Sequence, residues 1–219
     1  MQDQTAQIEW REGRVPVSTQ FDDPYFSLEN GMAETAHVFL AGNDLPARFA
    51  DGFHVAELGF GTGLNFLVAL QAFRDCGCGG TLHFTSFEAF PLDMDDLRTA
   101  LAAFEGLPAD LARAQGYPER LEGPDFTLRV IVGDARATLP EWDGRADAWF
   151  LDGFSPAKNP ELWTPELMMQ VGAHTAQGGT AATYTAAGFV RRGLAEAGFE
   201  VRRVQGYGRK RHMTRGVMP

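Results

Sequence analysis

The chain has 219 residues, 44% apolar and 22% charged, with a formal net charge of −10. That balance excludes disordered and fibrous classes and fits one sizeable core with no room for a second full domain. No apolar run is long enough to span a bilayer, and the opening residues lack the basic and apolar regions of a secretory signal. Cys76 and Cys78 are too few for a disulfide framework and wrongly spaced for a C-x-x-C site. A cytoplasmic protein is expected.

Residues 8–26 alternate apolar and polar positions around Gly13 and Pro16, which reads as a short hairpin followed by a loop. Residues 32–40 read as a short helix ending near Gly42 and Asn43. A regular pattern follows. A strand is expected over 54–58, a helix over 62–73, a second strand over 82–87, and a helix over 91–104 with Pro91 at its first position. Strands are expected over 126–132 and 147–151, a helix over 165–174, a strand over 180–185 and a helix over 188–197. Residues 199–204 and 212–217 form a closing hairpin around Gly206-Tyr207-Gly208. Such alternation predicts a Rossmann-like α/β fold with a mostly parallel sheet, and the terminal strand pair suits the variant with seven strands whose last one is antiparallel. Ligands then bind beyond the carboxyl ends of the strands.

Charge is unevenly divided. From Tyr184 onward the tail is +6, while the rest of the chain is −16. The asymmetry fits a basic face on an acidic body, although a solvated, salt-bridged surface has the same composition.

The first strand ends in Glu57-Leu58-Gly59-Phe60-Gly61-Thr62-Gly63. Glycines there allow a tight turn and close approach of a ligand to the helix start. Their spacing differs from the G-x-G-x-x-G of pyrophosphate sites. The preceding glutamate suits an amino-acid ammonium better than a polyphosphate. Glu88 ends the second strand, 25 residues past Gly63, where an acidic residue accepts hydrogen bonds from ribose hydroxyls. Asp134 and Asp152 end the third and fourth strands. Four acidic strand ends make a negative crevice suited to a cationic cofactor such as S-adenosylmethionine, and unsuited to NAD or ATP. From position alone, Glu57 faces the methionine part, Glu88 the ribose and Asp134 the adenine amino group. The Pro-rich loop Asp152-Gly153-Phe154-Ser155-Pro156-Ala157-Lys158-Asn159-Pro160 points carbonyls and Asp152 into that crevice, or merely caps the next helix with Thr164 as N-cap.

Several segments resemble one family. They are Tyr25-Phe26-Ser27, Asn30-Gly31, Glu34-Thr35, Val38-Phe39-Leu40, the Gly59 to Leu67 turn, Ser86-Phe87-Glu88-Ala89-Phe90-Pro91-Leu92, the run from Asp147 to Pro160, Ala187-Gly188-Phe189-Val190-Arg191-Arg192-Gly193-Leu194 and Gly208-Arg209-Lys210-Arg211. In order and over nearly the whole chain, they are similar to the MnmD/MnmC-type tRNA 5-(aminomethyl)-2-thiouridine methyltransferases. The resemblance implies methyl transfer from S-adenosylmethionine to the exocyclic amine of the wobble uridine, giving 5-methylaminomethyl-2-thiouridine. It also implies a FAD-dependent oxidase domain, fused or separate, as a partner.

The expected cofactor set is Glu57, Gly59, Phe60, Gly61, Thr62, Gly63, Asn65, Glu88, Asp134 and Phe154. Asp152 is the expected catalytic residue, with two roles open, orienting the amine or accepting its proton. A carboxylate of ordinary pKa, ~4, is a poor base for an alkylammonium, which favours orientation. Tyr25, Asn30, Lys158, Arg191, Arg192, Arg209, Lys210 and Arg211 are expected to contact the tRNA anticodon loop. The basic groups among them are expected to converge beside the crevice. No histidine has metal-ligand spacing, so neither a metal nor a membrane partner is expected. Residues 1–50 read as an N-terminal extension and 51–219 as the methyltransferase domain. Rival readings are a related methyltransferase acting on another amine, a nicotinamide-dependent oxidoreductase, and a non-catalytic RNA-binding relative.

Overall fold

A computed structural model describes residues 5–13, 15–27 and 30–219. The chain opens with a three-stranded antiparallel sheet of β1 (Ile8–Arg11), β2 (Val15–Ser18) and β3 (Asp23–Pro24), the expected hairpin plus one short strand. Helix α1 (Gly31–Thr35) follows, capped by the Asn30 side chain, which accepts the Ala33 N–H at 2.9 Å. It runs into a π-helical turn (Ala36–Leu40) and a 3-10 turn (Ala41–Asn43) rather than one regular helix.

Packing explains where the helical run stops. A Cβ on Gly42 would lie 2.8 Å from the Ala182 side chain. The buried Asn43 amide donates to the carbonyls of Phe39 and Trp149, and its oxygen accepts the Thr180 hydroxyl at 2.6 Å. Arg48 adds bonds to the carbonyls of Asn43 and Asp147. Polar groups withdrawn from water thereby find partners across the boundary between the extension and the main sheet.

The main sheet is built from β4 (His54–Leu58), β5 (Leu82–Glu88), β6 (Arg120–Glu122), β7 (Phe126–Val132), β8 (Ala146–Leu151), β9 (Thr175–Thr183), β10 (Glu200–Gln205) and β11 (His212–Val217). Their order is β10-β11-β9-β8-β4-β5-β7-β6. Strands β4, β5, β7, β8 and β9 run parallel, and β11 lies antiparallel between β9 and β10. The expected sheet gains an eighth strand, β6, antiparallel on the β7 edge. Three residues carry too little periodicity to announce such a strand. Strand β9 begins five residues earlier than expected, at Thr175: Gln177-Gly178-Gly179 resembles a loop by composition and forms an irregularity in the pairing with β8, while Gly178 and Gly179 exchange backbone hydrogen bonds with Met218.

Helices α2 (Leu64–Cys76) and α3 (Met94–Leu101) cover one face, while α4 (Ala135–Thr138), α5 (Pro165–Ala173) and α6 (Gly188–Glu196) cover the other. Alternate strand residues serve the two layers: Val55, Phe84 and Phe150 pack toward α2, and Ala56, Phe87 and Trp149 toward α5. Helix α3 starts at Met94, with Asp93 as its cap accepting from the N–H groups of Asp95 and Asp96, so Pro91 precedes the helix. The Pro91 carbonyl instead accepts the Ala6 N–H at 3.0 Å. Cys76 and Cys78 are bonded to each other around Gly77, closing one short ring at the end of α2. No helix among the described residues is long and apolar enough to cross a membrane.

Candidate active site at the carboxyl edge of the sheet

A cleft of about 890 Å³ opens at the carboxyl ends of the parallel strands. Its walls come from the Gly59–Gly63 turn, the ends of β5 and β8, the N-terminal segment around Tyr25 and α1, and the β10–β11 hairpin. Phe21, Tyr25 and Phe154 form an aromatic cluster on its rim, with ring centroids 4.9 Å apart for Phe21–Phe154 and 5.1 Å for Tyr25–Phe154.

The glycine turn has left-handed backbone at Gly59 (φ 89°), Gly61 (φ 53°) and Gly63 (φ 75°), where a Cβ is disfavoured. Two of the three also lack room against the protein itself. A Cβ on Gly59 would meet the Asp152 carbonyl at 2.2 Å, and one on Gly63 would meet Leu111 at 2.5 Å. The turn is therefore locked onto the β8 loop. Thr62 lies buried in the turn, and Phe60, also buried, packs edge-on against Tyr117.

The four acidic strand ends fall into different environments. Glu57 is fully buried; its Oε1 accepts Asn65 Nδ2 at 2.9 Å and its Oε2 accepts the Ser86 hydroxyl at 2.7 Å. Burial pushes its carboxyl well above the usual carboxylate range, against the pull of those two donors. Glu88 is held by backbone: Oε2 accepts the Gly61 N–H and Oε1 the Phe90 N–H, both at 2.8 Å. Burial raises its pKa and these N–H groups oppose the rise. Asp134 caps α4 and pairs with Arg136 at 2.6 Å, a bond that holds its carboxyl below the ordinary value. Asp152 Oδ2 accepts Asn65 Nδ2 at 2.7 Å. Burial pushes Asp152 up to about 7, opposed by the Asn65 bond and the Lys210 charge and reinforced by Glu34 and Asp23.

The expected nucleic-acid residues are spread more widely than the sequence suggested. Tyr25, Arg209 and Lys210 line the cleft. Lys210 Nζ sits 2.8 Å from Glu34 Oε1 and 4.0 Å from the Tyr184 ring centroid, so its charge is held inside the site. Lys158 donates to the Asp22 carbonyl and lies 3.6 Å from Asp23 Oδ1, on the outer side of the β8 loop. Arg191 and Arg192 stand on α6, outside the lining of the cleft, and Arg211 is exposed at the hairpin tip. The Asn30 side chain is engaged as the α1 cap.

The structure also brings in groups that sequence reasoning assigned no role. Thr35 donates its hydroxyl to Asn65 Oδ1 at 2.7 Å. Tyr184 donates to the Gly153 carbonyl at 2.8 Å, and Asp23 accepts the Ser155 N–H at 2.8 Å. Glu34-Thr35 belonged to a recognisable segment, but nothing in its spacing linked it to strand ends over twenty residues away. Among the described residues, no group of three or more His, Cys, Asp or Glu side chains is arranged to hold a metal ion.

Comparison with known proteins agrees with this architecture. The chain is 46% identical over 228 residues to the tRNA 5-methylaminomethyl-2-thiouridine biosynthesis bifunctional protein MnmC of Stutzerimonas stutzeri, a match covering 97% of this chain and 34% of that protein. It is 48% identical to the protein of the same name from Pseudomonas aeruginosa PAO1, covering 98% of this chain and 35% of the other. The chain thus spans about a third of the length of these curated relatives. The crystal structure of MNMC2 from Aquifex aeolicus superposes with a TM-score of 0.74 at 26% identity, over 99% of this chain and 72% of that one. The family model described as S-adenosyl-L-methionine-dependent methyltransferase matches residues 104–219, more than half of the sequence. With a doubly wound sheet, an antiparallel strand inserted near its edge and an acidic cleft beyond the parallel strands, the chain belongs to the S-adenosyl-L-methionine-dependent methyltransferase family.

Proposed function

We propose that this chain transfers a methyl group from S-adenosylmethionine to the primary amine of 5-aminomethyl-2-thiouridine at the tRNA wobble position, giving 5-methylaminomethyl-2-thiouridine. The observation that carries the reading is Asp152: a carboxylate at the β8 end, lining an aromatic-rimmed cleft and pushed up to about 7. An acid of that strength exchanges a proton with an alkylammonium far better than an ordinary carboxylate does. The proton-accepting role, disfavoured for a carboxylate of ordinary pKa, is thereby restored. The names of the curated relatives support the choice of nucleoside.

The donor set fits the cofactor. Bound S-adenosylmethionine supplies an electrophilic methyl group. The Gly59–Gly63 turn would hold its amino-acid end, Glu88 its ribose and the Asp134 end of β7 its adenine. Glu57, expected to face the methionine part, is fully buried outside the lining of the cleft with both oxygens held by Asn65 and Ser86, so it supports Asn65 rather than touching the cofactor. Asp152 keeps its carboxylate toward the acceptor and takes the amine proton, leaving a free lone pair for attack. The rim of Phe21, Tyr25 and Phe154 limits water at that point. Holding both reactants in one frame supplies most of the acceleration expected of such a displacement.

In this reading residues 1–50 are an extension that walls the cleft and 51–219 are the catalytic domain. The protein works in the cytoplasm, on the anticodon loop, beside a FAD-dependent oxidase domain, fused or separate, that prepares the amine. The test is methyl transfer to tRNA carrying 5-aminomethyl-2-thiouridine, followed by nucleoside mass spectrometry. A nucleoside heavier by one methylene at the wobble position is expected, with no product on tRNA whose wobble uridine lacks the amine. Cofactor binding without methylation of the amine-bearing tRNA sinks the substrate assignment.

A further inference from the structure

Two consecutive residues of α1 reach into the cleft and act on the same carboxylate. Glu34 holds the Lys210 ammonium, whose charge bears on Asp152. Thr35, 4% exposed, donates its hydroxyl to Asn65 Oδ1 at 2.7 Å. Asn65, 6% exposed in the first turn of α2, donates from its single Nδ2 to both Glu57 Oε1 and Asp152 Oδ2, at 2.9 and 2.7 Å.

A side-chain amide has two N–H donors and one acceptor oxygen, so this one is fully committed. Turned over, it would set its oxygen against two carboxyl oxygens, leaving Asp152 without its donor and Glu57 with the Ser86 hydroxyl alone. Burial makes that arrangement costly, because each lost partner leaves a polar atom unsatisfied. The Thr35 hydroxyl therefore sustains the one orientation in which Asn65 grips Asp152. Asp152 Oδ1 accepts no hydrogen bond from the described residues, so the grip on Oδ2 is its lateral restraint.

We propose that Thr35 and Asn65 form a positioning pair for methyl transfer: the Thr35 hydroxyl orients the Asn65 amide, and the amide holds the Asp152 carboxylate in the place where it meets the acceptor amine. The proposal rests on the role of Asp152 stated above. It makes a residue of the N-terminal extension part of the reaction's alignment, through two successive hydrogen bonds.

The groups that face Asp152 are Asn65 from α2, Lys210 from the β10–β11 hairpin, Glu34 from α1, Asp23 from β3 and the Tyr184 phenol just past β9, with Glu57 on the other side of the shared amide. Thr35→Val changes none of these charges. Loosening the Asn65 bond weakens a donor that favours the ionised form, so the Asp152 midpoint moves upward in pH.

The test compares the full chain with its Thr35→Val and Thr35→Ser variants, by NMR titration of the Asp152 carboxyl carbon without cofactor or RNA, and by kcat and KM for amine-bearing tRNA. Thr35→Val should titrate at higher pH and lose roughly 10-fold in kcat with KM unchanged, as a small misplacement of a reacting group does. Thr35→Ser should restore both. A folded Thr35→Val protein that titrates and turns over like the parent overturns the proposal. So does equal loss in the valine and serine variants with a lowered melting temperature, which marks a packing role. If the valine variant does not fold, Thr35→Ala is read in the same way. Should the parent fail to methylate the tRNA, the proposed substrate is wrong, and the titration still decides whether Thr35 and Asn65 govern Asp152.

Discussion

The two halves of the acidic strand edge behave differently. At the β4 and β8 ends, Glu57 and Asp152 share one amide and have no direct salt-bridge partner among the described residues; burial raises both. At the β7 end, Asp134 stands about half exposed against Arg136 and is held low. Glu88 lies between these extremes, buried but satisfied by backbone N–H groups. Four acids at equivalent strand positions are thus four different chemical groups. The desolvated pair is poised to gain a cation or a proton, whereas the exposed one already has its cation.

The sharpest way to break this contrast is Asp152→Asn. The amide keeps the shape and loses the negative charge, so kcat for methyl transfer should fall by roughly 10²–10⁴-fold while cofactor affinity by calorimetry barely changes. The same variant has a stability signature. A carboxyl raised from 3.8 to about 7 on folding binds its proton more tightly in the native state. Between those values the native state holds more protons than the unfolded chain, so stability falls as pH rises. Asp152→Asn should therefore melt higher than the parent at pH above 7, with the advantage vanishing toward pH ~4. An identical melting curve at every pH contradicts the raised carboxyl.

Glu88→Ala comes next. It removes an acceptor from the cofactor's hydroxyls and also releases the Gly61 and Phe90 N–H groups. Cofactor affinity should drop by ~1–3 kcal/mol in calorimetry. Unchanged affinity rules out the ribose role.

Joint replacement of Arg209 and Arg211 by alanine should raise KM for tRNA and flatten its salt dependence by roughly 0.7 log units per lost phosphate contact. Lys210 is left intact in that test so that the Glu34 pair and the charge acting on Asp152 stay unchanged. A salt slope equal to the parent's makes the hairpin tip a solvated turn.

Asp134→Asn should have the smallest effect. With side chains 48% and 50% exposed, the Asp134–Arg136 pair contributes at most ~1 kcal/mol. Its stabilising share is present at neutral pH and fades as pH falls through the lowered carboxyl value, the reverse of the Asp152 trend. Loss of cofactor affinity as large as that of Glu88→Ala would show that the adenine is held by the Asp134 carboxylate itself and not by the neighbouring backbone at the end of β7.

Much of the fold was legible because its signals are local. The strand over 54–58 and the strand over 126–132 were read with the bounds that the structure shows. Residues 126–132 begin with alternating buried and more exposed positions, a local period-two signal, and glycines with positive φ mark the turn that follows β4. Errors fell where a side chain or a distant contact overrules propensity. Pro91 was expected to open the helix, but Asp93 caps it and the helix starts at Met94; the 41–43 turn is pressed against β9 and β11.

The positions of the acidic side chains along the sheet edge were likewise set by the sequence alone, since strand ends and spacing follow from periodicity. Their proton affinities were not. Those depend on which water is excluded and which donor arrives from elsewhere: Asn65 from α2, Thr35 from α1, Lys210 from the last hairpin. Order along the chain determines which residues stand at the edge of the sheet. Desolvation and hydrogen bonding are properties of the assembled volume, so only the tertiary structure decided which of the four carboxylates is held near neutrality and which is simply a salt bridge.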